Sequence, residues 1–147
     1  MYLRNAGGTI IDQKTYPSME MDNSYGRKPD GNSSWCYFGT PTPGTSNNSS
    51  TCYNGYAAAP VFSVTAGFYS STRTVTLSTS TPGGVIRYTT NGNVPTTGSA
   101  AYSSALTVSN TKTIRARVFA SGYLPSPTIT NTYFINQSVS LPVFTLT

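Results

Sequence analysis

The sequence predicts an all-β chain: an immunoglobulin- or fibronectin-III-like antiparallel β-sandwich preceded by a partial β segment. Three observations carry that expectation. Between residues 60 and 136, short runs rich in Val, Ile, Thr, Tyr and Phe recur, broken by Gly, Pro and Asn. Within these runs inward-type and outward-type residues alternate, the period of a strand buried on one face. Only 9% of residues are charged, while Ser, Thr, Asn and Gly are abundant, a balance typical of secreted β proteins.

Taken in order, the strands of this region are expected at 61–64, 74–80, 85–90, 105–108, 113–120 and 128–135, enough for a sandwich. Alternation then names the core. Val75, Leu77, Ile86, Tyr88, Leu106, Val108, Ile114, Ala116 and Val118 should point inward, and Arg87, Arg115, Arg117 and Phe119 outward. Pro82-Gly83-Gly84 and Asn91-Gly92-Asn93 supply turn residues that accept positive φ. In the last strand Asn131 shares a face with Ile129, Tyr133 and Ile135, which calls for a bulge or a hydrogen-bonded polar contact.

The first half is sparser. Thr9 to Ile11, after the Asn5-Ala6-Gly7-Gly8 turn, and Trp35 to Phe38, after Asp30-Gly31-Asn32, read as strands. Two or three strands do not make a stable sheet alone, so this segment is expected to be incomplete. Residues 44–59 have the composition of a flexible connector. Cys36 and Cys52 would form a bridge in an oxidising compartment, stabilising by about 3 kcal/mol, and would stay thiols in a reducing one. Asn32 and Asn48 lie in Asn-Ser-Ser sequences that fit glycosylation acceptors.

Charge and proton-transfer groups limit the chemistry. The four acidic residues, Asp12, Glu20, Asp22 and Asp30, all precede residue 31, and there is no His. Arg4, Lys14, Arg27 and Lys28 balance them, so the net +5 resides in Arg73, Arg87, Lys112, Arg115 and Arg117. Without a base or an orienting partner the many serines are not nucleophiles, and Lys112, in an expected exposed turn, is a solvated ammonium. Glycoside hydrolysis needs two flanking carboxyl groups, which the second half lacks. Two Cys without His do not make a zinc site, so no metal or other cofactor is expected. The basic residues form no cluster, which argues against nucleic acid as a partner. No apolar run has the length of a membrane span. Met1 is followed by Tyr2, Leu3, Arg4 and Asn5, not by a signal-peptide pattern, so an export signal would lie upstream.

Two stretches resemble known families. Asn5-Ala6-Gly7-Gly8, Ile11-Asp12, Ser24-Tyr25-Gly26-Arg27, Pro29-Asp30-Gly31, Trp35, Thr40-Pro41-Thr42-Pro43-Gly44 and Asn47 resemble, in order and spacing, the C-terminal half of a lamin-tail domain. That resemblance spans 1–48 and implies the later strands of an immunoglobulin-like sandwich. Pro60-Val61-Phe62-Ser63, Gly67-Phe68-Tyr69, Val75-Thr76-Leu77, Ile86-Arg87-Tyr88-Thr89-Thr90-Asn91-Gly92, Pro95-Thr96, Tyr102, Thr113-Ile114-Arg115-Ala116, Gly122-Tyr123, Ser126 and Thr132-Tyr133 resemble the small β-sandwich found C-terminal to the catalytic barrel of chitobiases and β-hexosaminidases. Many members carry Asp where this chain has Asn91. The resemblance implies a module without hexosaminidase activity, because the barrel carries that activity. Leu141-Pro142-Val143-Phe144-Thr145-Leu146-Thr147 is similar to the opening strand of a spore-coat kinase-like domain.

These resemblances divide the chain into a lamin-tail-like part (1–48), a linker (49–59), the sandwich (60–136) and the start of a further domain or tail (137–147). The expected function is non-catalytic: spacing, presenting or docking neighbouring domains of a large exported bacterial protein, outside the cell or at its surface, as a monomer. The alternative is a carbohydrate-binding module with polysaccharide as partner, in which Phe68, Tyr69, Tyr102 or Tyr123, with Phe119, stacks on sugar rings; each serves equally as a core contact. Arg87, Arg115 and Arg117 beside Phe119 form a second candidate surface, a basic stripe for an acidic glycan or a partner domain. The plain alternative for it is a solvated face whose charge discourages aggregation.

Overall fold

The computed structural model describes residues 1–137. The expected strand at 141–147 lies outside the described residues. Among the described residues there is no helix, and the backbone divides into two compact units, Met1–Asn54 and a second beginning at Gly55.

The first unit holds two antiparallel hairpins. β1 (Tyr2–Arg4) pairs with β2 (Ile10–Gln13), and β3 (Ser24–Arg27) pairs with β4 (Trp35–Phe38). β4 falls where the sequence places it, β2 begins one residue later than expected, and β1 and β3 are additional to the expected strands. Every residue of β1 and β2 is exposed, whereas Cys36 and Phe38 of β4 are buried.

The second unit is the all-β sandwich that the alternation predicts. Its strands are β5 (Val61–Phe62), β6 (Gly67–Tyr69), β7 (Arg73–Val75), β8 (Leu77–Ser78), β9 (Val85–Thr89), β10 (Ala100–Ala101), β11 (Leu106–Val108), β12 (Lys112–Phe119) and β13 (Ile129–Ile135). Five of them form one sheet in the order β10-β9-β12-β13-β6, antiparallel except for the parallel edge pair β13 and β6. The other layer is built from β5 with β8 and β7 with β11. The single strand expected at 74–80 is thus split at Thr76, where the run changes partners. Thr76 remains bonded across the break: its NH donates to Ser63 Oγ and its carbonyl accepts from the Ser63 NH, both 2.9 Å.

Side chains from both layers meet in one core of Val75, Leu77, Ile86, Val108, Ile114, Ala116, Val118, Tyr133 and Ile135. Tyr88 and Leu106, expected inside, pack at its margin. β12 shows the reason most plainly: from Thr113 to Phe119 its residues alternate between half-buried and fully buried, because the pleat sends successive side chains to opposite faces.

The stretch expected to be a flexible connector is fastened within the units. Tyr53 exchanges both backbone bonds with Tyr37, extending the β4 hairpin of the first unit. In the second, Ala57 NH donates to Leu124 O and Leu124 NH to Gly55 O, each at 2.8 Å, and Ala57 is buried in the core. Small, weakly polar residues suit a linker, but their unobstructed backbone also suits a β-bridge, and here pairing wins.

Candidate functional site

The outer face of the five-stranded sheet gathers most of the candidate residues. β9 and β12 are neighbours, with Arg117 opposite Arg87 and Arg115 opposite Thr89, so the three arginines do share one region. They are not a solvated stripe. All three are half-buried, and each donates to a backbone carbonyl of a loop: Arg87 Nη1 to Ser99 O (2.9 Å), Arg115 Nη1 to Gly92 O (2.7 Å) and Arg117 Nε to Ser126 O (2.6 Å). Loop carbonyls left over from the sheet ladder need donors, and a guanidinium offers five in a fixed fork. Arg117 also lies 5.9 Å from the centre of the half-buried Phe119 ring. Arg73, the remaining arginine of the unit, sits 4.5 Å over the Tyr69 ring.

The loop that Arg115 holds is itself ordered by local chemistry. Asn91 Oδ1 accepts from Asn93 NH (3.1 Å), Thr89 Oγ1 donates to Asn93 O (2.6 Å), and Gly92 takes the positive φ of 84° that the turn requires. Asn91 therefore acts as a turn former. Lys112 is not in an exposed turn: it opens β12, half-buried opposite Tyr133.

Three of the five aromatics considered for sugar stacking, Tyr69, Tyr102 and Tyr123, are half-buried and pack against the core. Tyr69 Oη further donates to Thr65 O (2.7 Å). Phe68 differs. It lies on edge strand β6, is 45% exposed, and stacks on Phe134 with ring centroids 4.6 Å apart and planes 14° from parallel. Their backbones are register partners in the β13–β6 pair, which fixes the stack. A shallow cleft of about 370 Å³ adjoins Phe68 and is lined also by Tyr69, Ser70, Asn136 and Gln137. Phe134 is not among the residues that sequence reasoning singles out; its outward parity with Thr132 is visible there, but the parallel pairing that sets it under Phe68 is not.

On the inner face the polar residue of the last strand is satisfied by hydrogen bonds and not by a bulge. Tyr133 Oη donates to Val64 O (2.8 Å), and Asn131 Nδ2 reaches Val64 O (3.4 Å) and Tyr133 Oη (3.3 Å), while the β12–β13 register runs unbroken. Burial raises the Tyr133 phenol above its ordinary value; the Asn131 bond offsets part of this and nearby Tyr69 adds to it.

In the first unit Cys36 and Cys52 are joined as a disulfide. Tyr25 stacks on Trp35 at 5.4 Å, Tyr16 meets both rings edge-on, and Lys14 and Arg27 lie over the Trp35 ring. Arg27 also pairs with Asp12 at 2.6 Å. The two Asn-Ser-Ser asparagines serve turns: Asn32 Oδ1 accepts from Ser34 NH, and Asn48 Oδ1 from Asp30 NH. Among the described residues no group of three or more His, Cys, Asp or Glu could hold a metal, and no helix is long and apolar enough to cross a membrane.

A protein-family model of the chitobiase/beta-hexosaminidase C-terminal domain matches residues 64–131, which lie within the second unit. The match reaches neither the lamin-tail-like stretch at 1–48 nor the tail at 141–147. Comparison with curated proteins returned no match, and neither did comparison with solved structures.

Proposed function

We propose that this chain is a non-catalytic piece of a larger exported protein, in which the sandwich at 60–136 spaces, presents or docks a neighbouring domain outside the cell. In this reading residues 1–48 belong to a lamin-tail-like module, 49–59 connect it, and 137–147 lead into a further domain. The observation that carries the proposal is the use made of the cations on the outer face: Arg87, Arg115 and Arg117 are engaged with loop carbonyls. Groups committed to holding loops are not poised for substrate. The unit also carries no carboxylate or imidazole for proton transfer. The family match supports a module associated with glycosidases, and the disulfide fits an oxidising compartment.

The test is turnover by the purified chain on a panel of N-acetylglucosaminides and other glycosides, together with sedimentation. A monomer without hydrolysis above buffer is expected. Saturable hydrolysis that a point substitution in this chain abolishes would sink the proposal.

A further inference from the structure

We propose that the cleft beside Phe68 is a binding subsite for a neutral pyranose unit of a polysaccharide, with the Phe68 ring as its stacking platform. An exposed phenyl ring on a sheet edge is ordinary by itself. Three features set this one apart. Its orientation is fixed from one side, since Phe134 on the neighbouring strand stacks on it at 4.6 Å and the β13–β6 register holds the two backbones together. A ring so held gives a flat apolar face without losing side-chain freedom on binding.

Beside that face, the cleft is lined by Ser70, Asn136, Gln137 and Tyr69. Hydroxyl and carboxamide groups donate and accept at once, as the hydroxyls around a sugar ring require, while the axial C–H face of the same sugar is apolar. Among the described residues no Lys, Arg, Asp or Glu lines the cleft, which favours a neutral sugar over an anionic one.

The third feature is the backbone at Asn136, which takes a φ of 52°, a left-handed conformation uncommon outside glycine. It is anchored by Asn136 NH donating to Tyr69 O at 2.8 Å, and Gln137 Nε2 donates back to Ile135 O at 3.3 Å. These bonds fix the chain at the strand end, where both carboxamide residues line the cleft.

The experiment uses the full 147-residue chain. Retention on insoluble chitin, cellulose, xylan and mannan is measured, with titration of the corresponding soluble oligosaccharides followed by amide chemical shifts. Saturable binding to one of these is expected, with shifts at Phe68, Ser70 and Gln137. Phe68→Ala should weaken it roughly tenfold, whereas Val85→Ala, on another exposed apolar residue of the sheet, should leave it unchanged. Gln137→Ala gives a second measure should Phe68→Ala disturb the fold. Absence of binding to all four polymers, or binding indifferent to both substitutions, overturns the proposal and leaves the non-catalytic reading standing.

Discussion

Arg87 and Arg117 stand directly opposite one another across the β9–β12 pair, yet their guanidinium groups serve different loops, Arg87 at Ser99 and Arg117 at Ser126. Like charges placed so should repel. Bonding to separate carbonyls gives each charge its own compensation and turns a liability into two loop anchors. Replacing either with Met should cost about 1–2 kcal/mol, the loss of a charge-assisted bond less the repulsion relieved. Hydrogen exchange should quicken around Ser99 for Arg87→Met and around Ser126 for Arg117→Met. Uniform acceleration across the sheet in either variant would contradict the anchoring role.

Ser126 takes the place of a strand partner. Its Oγ accepts from Val118 NH (2.9 Å) and donates to Pro127 O (2.8 Å), while its own NH donates to Val118 O (3.0 Å). Ser126→Ala should leave the Val118 NH unsatisfied in a buried position, costing about 1–3 kcal/mol by urea denaturation. A loss below a few tenths of that would mean the amide finds another acceptor.

Tyr133 is fully buried, and its hydroxyl is the principal donor to the Val64 carbonyl. Tyr133→Phe should cost about 1 kcal/mol at neutral pH. The phenol also makes stability depend on alkali. Because its folded value is raised, the unfolded chain releases the proton first, near pH 10, and then binds fewer protons than the native state. Its contribution is therefore whole below about pH 10 and lost as pH climbs through the raised value. Denaturation at pH 8 and pH 10.5 should show a smaller fall for Tyr133→Phe than for the unaltered chain; equal falls would remove Tyr133 as the cause.

At Gly84 a methyl group would lie 2.9 Å from Thr81 O and 3.0 Å from Val118 Cγ1. Gly84→Ala should thus strain the turn before β9, at about 1–3 kcal/mol. Gly84→Ala with unchanged melting would show that the turn shifts freely.

In the first unit the disulfide closes a loop with a sequence separation of 16. Reduction should destabilise that unit by about 3 kcal/mol. Amide protection should fall in β4 and stay in β12. Loss of protection in both would show that the bridge supports more than its own hairpin.

The sandwich was legible because its signal is local. Alternation along 113–120 named Ile114, Ala116 and Val118 as core, and all three are buried. Asn131 stood out as a polar residue on an apolar face, and the need for a partner was readable from that alone. Its partner, Val64 O, lies far away along the chain. Thr76 was hidden because a break between two half-strands leaves the alternation of Val75 and Leu77 intact.

Alternation along the chain is enough to say which residues face the core, since the pleat converts chain position into side, and composition is enough to say that the second unit has no carboxylate or imidazole side chain. Tertiary structure decided what the outward residues do. Arginines that look solvated in the sequence bond to loop carbonyls, three tyrosines pack against the core, and Phe68 stays exposed but stacked on Phe134 because β6 pairs with β13 in parallel. The physical reason is range: parity is fixed between adjacent residues, whereas register and loop carbonyls are set by segments tens of residues apart, and no local pattern encodes where those will meet.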